Sequence, residues 1–355
     1  MNRIFLTVLC LGLLGGCKSK NTATPVEGDY NAGIRINQVG YYPNATKKAI
    51  VAQNTAAESF QVFNTDDMEM VYEGKLSAPQ VWELAGETVI VADFSELNAP
   101  GSYSLYVEDV GYSFPFEISA EVLRPALKAG MKSYYYQRAG YALDSAHAGQ
   151  WHRPAGHADN QVNFHPSTGR TGQTSSTGGW YDAGDYGKYM VNGGFSLGQM
   201  LVLHEQYPGA LGDGELNIPE SGNGNSDLLD ELKYEMDWIL SMQDEDGGSF
   251  VKLTTKNFTA MKLPHEVDDI PRFIIGKSTP ATLNLAAVAA KMSRAYTEID
   301  PDYSAKCLEA AQKAWDWALE HPDMAYKNPE DVQTGEYGDA DFSSEFFWAA
   351  AELFV

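Results

Sequence analysis

The sequence predicts two folded units of different class: a β-sandwich of about immunoglobulin size, then an all-helical domain arranged as a toroid of helical hairpins. Three observations carry that prediction. Between residues 33 and 119 apolar side chains recur with period two, and turn signals separate the runs. Beyond Glu121 the apolar spacing becomes helical. A hydrophobic fraction of 44% over 355 residues is enough to fill the cores of two or three domains.

Residues 1–17 precede both units and read as an export signal. Arg3 gives a positive start, residues 4–14 an apolar run, and Gly15 and Gly16 small side chains ahead of Cys17. The run is short for a bilayer span, which takes about 20 residues. The Leu-Gly-Gly-Cys ending resembles a bacterial lipobox, which implies lipidation of Cys17, export, and a membrane contact through the lipid alone. An ordinary cleaved signal is the alternative. Cys10 would leave with the signal, so Cys307 would have no disulfide partner within the chain. Residues 18–32, rich in Asn, Thr, Lys and Gly, read as a tether.

In the sandwich region, residues 33–119, Tyr103, Leu105 and Val107 alternate with Ser104 and Tyr106. Tyr112, Phe114, Phe116 and Ile118 alternate with Ser113, Pro115 and Glu117. Strands of this kind bury one face. The aromatics fall mostly on that face, so the unit reads as a structural support more than as a glycan-binding module, and it holds no catalytic cluster.

Residues 120–355 form the helical part. Leu123, Leu127, Met131 and Tyr135 share one stripe, and further helices are expected through Met190, Leu197 and Leu201 and near residues 227–242, 281–298, 302–320 and 343–355. Ser226, Thr279 before Pro280, and Asp300 before Pro301 supply helix-start chemistry. Long glycine-rich segments between helices suit loops that build a cleft at one end.

The stretch Gly178-Gly179-Trp180-Tyr181-Asp182-Ala183-Gly184-Asp185-Tyr186-Gly187-Lys188-Tyr189 is where chemistry concentrates. Hydrolysis of a glycosidic bond needs a carboxylate to activate water, a carboxylic acid to protonate the leaving oxygen, and flat faces to hold the ring. In an inverting enzyme the two groups flank the bond about 6.5–9.5 Å apart. Asp182 and Asp185, on one tight turn, face the same side, so they would grip one water and the acid must come from elsewhere. The competing reading makes both aspartates helix caps. Trp180 and Tyr181 are candidate sugar-stacking residues, with core packing the alternative. In the loop 149–179, Trp151 and His165 are further candidates for lining a sugar cleft. His147, His152, His157 and His165 would have to hold any zinc without a cysteine. The segment 219–225 reads as a turn leading into a capped helix.

Four stretches in order, GGWYDAGDYGKY, IPESGNGNSDLLDELKYEMDWILSMQ, KSTPATLNLAAVAAK and TGEYGDADFSSEFFWAAAEL, resemble glycoside hydrolase family nine, the cellulase and β-glucanase family. The likeness runs from residue 34 to residue 355, including the small immunoglobulin-like sandwich of one branch. It implies a six-hairpin α/α barrel, with Asp185 as general base and Asp182 helping to hold the attacking water. The resemblance also implies a glutamate acid late in the catalytic domain. Glu220, Glu266 and Glu345 each have a better structural or metal explanation, so that acid has no counterpart here. Six helices make half of such a barrel, so residues 120–355 are expected to be its N-terminal part, with little activity alone.

The loop 334–341 is the other cluster. Calcium takes six to eight oxygen ligands, and glycines let a loop wrap an ion. Family resemblance supports a structural calcium on Thr334, Glu336, Asp339, Asp341 and Glu345, although Ser344 stands where the family has an aspartate. A solvated acidic loop is the alternative, and no organic cofactor is expected.

A formal charge of −23 argues against nucleic acid as partner, and a neutral glycan is unaffected by it. The expected activity is inverting hydrolysis of β-1,4-glucosidic bonds in cellulose, cello-oligosaccharides or related β-glucans. Xyloglucan or an amino-sugar β-glycan is the alternative substrate, and a non-catalytic surface glycan-binding protein is the alternative class.

Overall fold

A computed structural model describes residues 30–355. Cys17 and the stretch read as an export signal lie outside the described residues. The chain forms two compact units that meet in sequence between Ala126 and Leu127.

The first unit is built from β1 (Ile34–Arg35), β2 (Lys48–Val51), β3 (Ser59–Asn64), β4 (Met70–Lys75), β5 (Gln80–Trp82), β6 (Glu87–Asp93), β7 (Gly101–Val107), β8 (Gly111–Tyr112) and β9 (Phe116–Ile118). One sheet runs β1-β2-β6-β5 and the other β4-β3-β7-β8, with β9 also on β7. Register decides what is inside: Phe60 faces Val107 and Val62 faces Leu105 across β3 and β7. All four are buried with Ile34, Val51, Ala92, Phe94 and Ile118.

The alternation expected from Tyr112 to Ile118 holds for Phe116 and Ile118 and fails at Phe114, which is 38% exposed. Pro115 has no N–H for a ladder, so the run divides into β8 and β9. Ser113 turns inward instead. Its hydroxyl accepts the Leu105 N–H at 3.0 Å and its carbonyl accepts from the Ser104 hydroxyl at 2.8 Å. Both buried polar side chains are thereby satisfied.

Helix α1 (Arg124–Tyr136) crosses the unit boundary and lies mostly in the helical unit. That unit also contains α2 (Ser145–Ala148), β10 (Val162–Phe164), β11 (Gln173–Thr174), β12 (Lys188–Tyr189), α3 (Met190–Gln206), α4 (Asp227–Ser241), β13 (Phe250–Thr255), β14 (Arg272–Lys277), α5 (Thr279–Tyr296), α6 (Pro301–Glu320) and α7 (Ser343–Phe354). Helix α5 lies at the centre and is buried along almost its whole length. Its alanines let α3, α4, α6 and α7 all pack on it.

Asp300 caps α6 by accepting the Tyr303 N–H at 3.0 Å, as its place before Pro301 predicts. At α5 the cap is Ser278, whose hydroxyl accepts the Ala281 N–H at 3.2 Å. The sequence expectation of Thr279 is therefore displaced by one residue. Thr279 instead accepts the Met324 N–H at 3.0 Å, holding the end of the α6–α7 connection.

Helical periodicity missed a five-stranded sheet, β11-β10-β14-β13-β12, inside this unit. Every residue of β13 is buried, so its polar members Lys252 and Thr254 break the apolar run that marks a strand in sequence. The sheet matters to the site. It places Lys188 opposite Leu253 and Tyr189 opposite Lys252, fixing the chain that leaves the paired aspartates.

Candidate active site

Asp182 and Asp185 occupy a turn between Tyr181 and β12. It is closed by the Asp182 N–H to the Gly187 carbonyl at 2.9 Å and the Tyr186 N–H to the Ala183 carbonyl at 3.0 Å. Tyr186 takes a left-handed φ of 58° to make the bend. The two aspartates are not helix caps: α3 begins after them at Met190, and Tyr189 is its capping position.

Each carboxylate is held differently. Asp182 Oδ1 accepts from Asn192 Nδ2 at 2.7 Å, and Oδ2 accepts from the Tyr337 hydroxyl at 2.8 Å. Asp185 Oδ2 accepts from the Tyr189 hydroxyl at 2.8 Å. Burial, with Asp185 alongside, pushes the Tyr189 hydroxyl above its ordinary value, so it stays a donor. Asp185 Oδ1 is buried and has no hydrogen-bond partner among the described residues. A carboxylate oxygen in that state keeps an unused acceptor site, and a water molecule is the simplest donor that could meet it.

Buried charges clamp the turn on both flanks. Upstream, the Trp180 backbone N–H donates to Glu235 Oε2 at 2.6 Å and its indole N–H to Glu231 Oε1 at 2.9 Å. Glu231 is in turn paired with Arg138, whose other nitrogens reach Glu220 at 2.9 and 3.0 Å. Downstream, Asp159 binds Arg272 Nε at 2.8 Å and Lys188 Nζ at 2.9 Å, and Arg272 donates to the Tyr186 carbonyl at 2.7 Å. The two cations hold the Asp159 carboxyl below the ordinary carboxylate range against the opposing effect of burial. Two openings flank Asp182. One is a polar cavity of about 260 Å³ between α1, α3 and α4; the other is a groove of about 710 Å³ lined by Phe195, Gln199, Glu345 and Trp348 among others.

Several residues expected to meet sugar are elsewhere. Trp180 and Tyr181 are 6% and 3% exposed, and their faces are taken: Trp180 packs on Tyr134 at 4.6 Å, and Tyr181 on Tyr186 at 4.9 Å and His157 at 5.6 Å. Both border the polar cavity beside Asp182, and with these faces packed they shape the turn. His165 is buried, with Nδ1 by the Ser167 hydroxyl at 2.9 Å and Nε2 by Asp331 at 3.2 Å. Trp151 is 67% exposed on a single 3-10 turn, and among the described residues it makes no ring contact or hydrogen bond with the aspartates. Tyr337, Asn192, Tyr189 and Lys252 escaped notice as site residues. Only Tyr189, four residues beyond Asp185, carried a local signal.

The loop expected to hold calcium is differently occupied. The fully buried Lys252 donates to the Gly335 carbonyl at 2.8 Å, the Thr334 carbonyl at 3.2 Å and Asn328 Oδ1 at 2.7 Å. Glu336 accepts the Asn328 N–H at 2.8 Å, Asp339 the Ala340 and Asp341 N–H groups, and Asp341 the Ser343 N–H, while Glu345 accepts from the Ser344 hydroxyl. Among the described residues no three His, Cys, Asp or Glu side chains converge as a metal site. As folded, the loop does not fit a calcium ion, because the lysine ammonium already fills its carbonyl cradle. The histidines proposed for zinc are also dispersed: His147 faces Asn217, His157 faces Tyr181, and His165 faces Asp331.

An immunoglobulin-like sandwich followed by helices around a turn with paired aspartates defines a glycoside-hydrolase chain. The chain belongs to glycosyl hydrolase family 9, whose family model matches residues 124–355. The cellulase N-terminal ig-like domain matches residues 29–112. It is 41% identical over 361 residues to the xyloglucan-specific endo-beta-1,4-glucanase BoGH9A of Bacteroides ovatus, covering 97% of this chain and 60% of that protein. It is 35% identical over 355 residues to endoglucanase D of Acetivibrio thermocellus, covering 99% and 54%. Among solved structures, a Bacteroides ovatus GH9 protein superposes with a TM-score of 0.84 at 41% identity, covering 91% of this chain and 61% of that one. The chain thus spans little more than half the length of these relatives.

Proposed function

We propose that this chain supplies the water-activating side of an inverting hydrolase of β-1,4-glucans. Asp185 is the general base and Asp182 positions the water. The observation that carries the reading is the asymmetry of Asp185: Oδ2 is fixed by Tyr189 while the buried Oδ1 has no partner among the described residues. A base needs one anchored oxygen to set its orientation and one free oxygen to take the proton. The acid is not among the residues assigned here. Asp182 and Asp185 stand on one turn, and an inverting pair must flank the bond.

Cellulose and cello-oligosaccharides are one substrate reading, supported by the likeness to endoglucanase D. Xyloglucan is the second, supported by 41% identity to a xyloglucan-specific relative. Reducing-end release from purified cellulose, mixed-linkage glucan, xyloglucan and an amino-sugar β-glycan separates them, using this chain and the complete gene product that carries it. Release from none of these by either protein would favour a surface glycan-binding role.

Export with lipidation at Cys17 is part of the same proposal, since an anchored enzyme meets its polymer outside the cytoplasm. Mass spectrometry of the protein from its host tests this. An acylated N-terminal Cys17 supports it, and a soluble mature form beginning elsewhere contradicts it.

A further inference from the structure

Glu235 is a carboxyl group that the proposed reaction does not use. It is 1% exposed and touches both flanks of the aspartate turn. On one side its Oε2 accepts the Trp180 backbone N–H at 2.6 Å, two residues before Asp182. On the other, its Oε1 lies so close to Gly193 of α3 that a methyl group there would overlap it. Gly193 is next to Asn192, which donates to Asp182 Oδ1.

Its partner on α4 is a useful contrast. Glu231, one helical turn earlier, holds the Trp180 indole and is compensated by Arg138 at 3.0 Å. Among the described residues no cation is in contact with Glu235. The nearby ammonium of Lys188, on β12, is already engaged by Asp159 at 2.9 Å and by the Ser176 and Gly178 carbonyls at 3.0 and 2.7 Å. The other charged or titratable groups bordering the same space are Glu231, Tyr134 of α1, Tyr181, Tyr189, and Asp182 across the polar cavity. Glu235 Oε1 has no hydrogen-bond partner among the described residues. An ionised Glu235 would be a buried, uncompensated charge beside a second carboxylate, which is costly.

We propose that Glu235 is a positioning residue for the catalytic turn, a neutral acid packed between the Trp180 backbone and α3, and that its ionisation loosens Asp182. Burial pushes the carboxyl up to about 8, so it carries its proton at neutral pH and gives it up under mildly alkaline conditions. The proposal rests on the reading of Asp182 and Asp185 as the base side, but its test does not need turnover.

The test is hydrogen exchange of the amides from residue 180 to residue 187, corrected for intrinsic rate, in the whole chain at about pH 6.5 and about pH 9. In the unsubstituted protein protection should fall about tenfold at the higher pH, where the acid is mostly ionised. Glu235→Gln keeps the acceptor for Trp180 and cannot ionise, so its protection should be the same at both. Gly193→Ala crowds the same oxygen without altering charge and should loosen the turn at both. A glutamine variant that loses as much protection as the parent, a parent that loses none, or an alanine variant that stays protected would each overturn the proposal. Should Glu235→Gln fail to fold, carbon-13 spectra of the parent's glutamate carboxyls decide. One must titrate near 8; none titrating above about 6 overturns it. If the complete gene product hydrolyses β-glucan, ionisation of the general acid lowers kcat at alkaline pH in parent and variant alike, and the parent should show a further fall that Glu235→Gln lacks. Loss of hydrolysis at every pH with the exchange pattern intact would fault the function and leave Glu235 as assigned.

Discussion

The Tyr337 hydroxyl donates to Asp182 Oδ2 at 2.8 Å, joining residues 155 positions apart. That bond turns the loop after α6 into a support for the aspartate turn. Its ring also meets Tyr189 edge-on at 4.9 Å, so the same residue braces the tyrosine that orients Asp185. Burial, and then Asp182 itself, push the Tyr337 hydroxyl up to about 12, which keeps it a donor throughout the working range.

Tyr337→Phe should therefore retain the fold and lose rate. A hydrogen bond to a charged group contributes about 1.5–3 kcal/mol. Expressed fully in the transition state, that is roughly a 10- to 100-fold fall in kcat. Because Tyr337 is 47% exposed, the melting temperature should move little. Measuring kcat and the melting curve together checks both halves, and an unchanged kcat would show that Asp182 needs no such support.

Lys252 takes the place expected for calcium, and this has a thermal consequence. Chelator should leave the melting temperature of the chain unchanged, since the carbonyls of Thr334 and Gly335 are held by an ammonium. Lys252→Met should destabilise by about 1–3 kcal/mol, the usual result of leaving buried acceptors without a donor. A drop in melting temperature with chelator, restored by added calcium, would mean that the loop rearranges around an ion.

The sandwich, the main helices and the aspartate turn were legible because each depends on local pattern: period two in β3 and β7, helical spacing in α4 to α6, and a glycine-framed pair of carboxylates. The partners of that pair were not. Tyr337 reaches Asp182 through tertiary folding alone, and Lys252 looks in sequence like a surface residue of β13. Trp180 and Tyr181 misled for a related reason, since aromatic faces packed into a core and faces open to sugar have the same composition. Phe114 misled because alternation continued on paper through Pro115, which cannot donate to a ladder.

Asp159→Asn tests the downstream clamp. It would leave Lys188 and Arg272 without their shared carboxylate, at a cost of about 3–5 kcal/mol. The sign of the pH effect follows from the direction of the shift. The folded Asp159 is held below its unfolded value, so its contribution is present above the unfolded carboxylate pKa, about 3.9, and is lost as pH falls through the lower folded value. Stability measured from neutral to strongly acidic pH should converge between parent and variant at the acid end. A constant difference down to the lowest pH would show that Asp159 is not acting as an ionised partner.

The most direct test of the account is the hydrolysis rate of Asp185→Asn in the complete gene product, on whichever β-glucan the parent cleaves fastest, with folding verified by circular dichroism and melting. An amide on the Tyr189 side can still accept its hydrogen bond, but Oδ1 is replaced or reoriented and no longer takes a proton. The account predicts an intact fold with the rate lowered by about 10²- to 10⁴-fold, the usual contribution of a general base. A folded Asp185→Asn protein with near-parental turnover would contradict it.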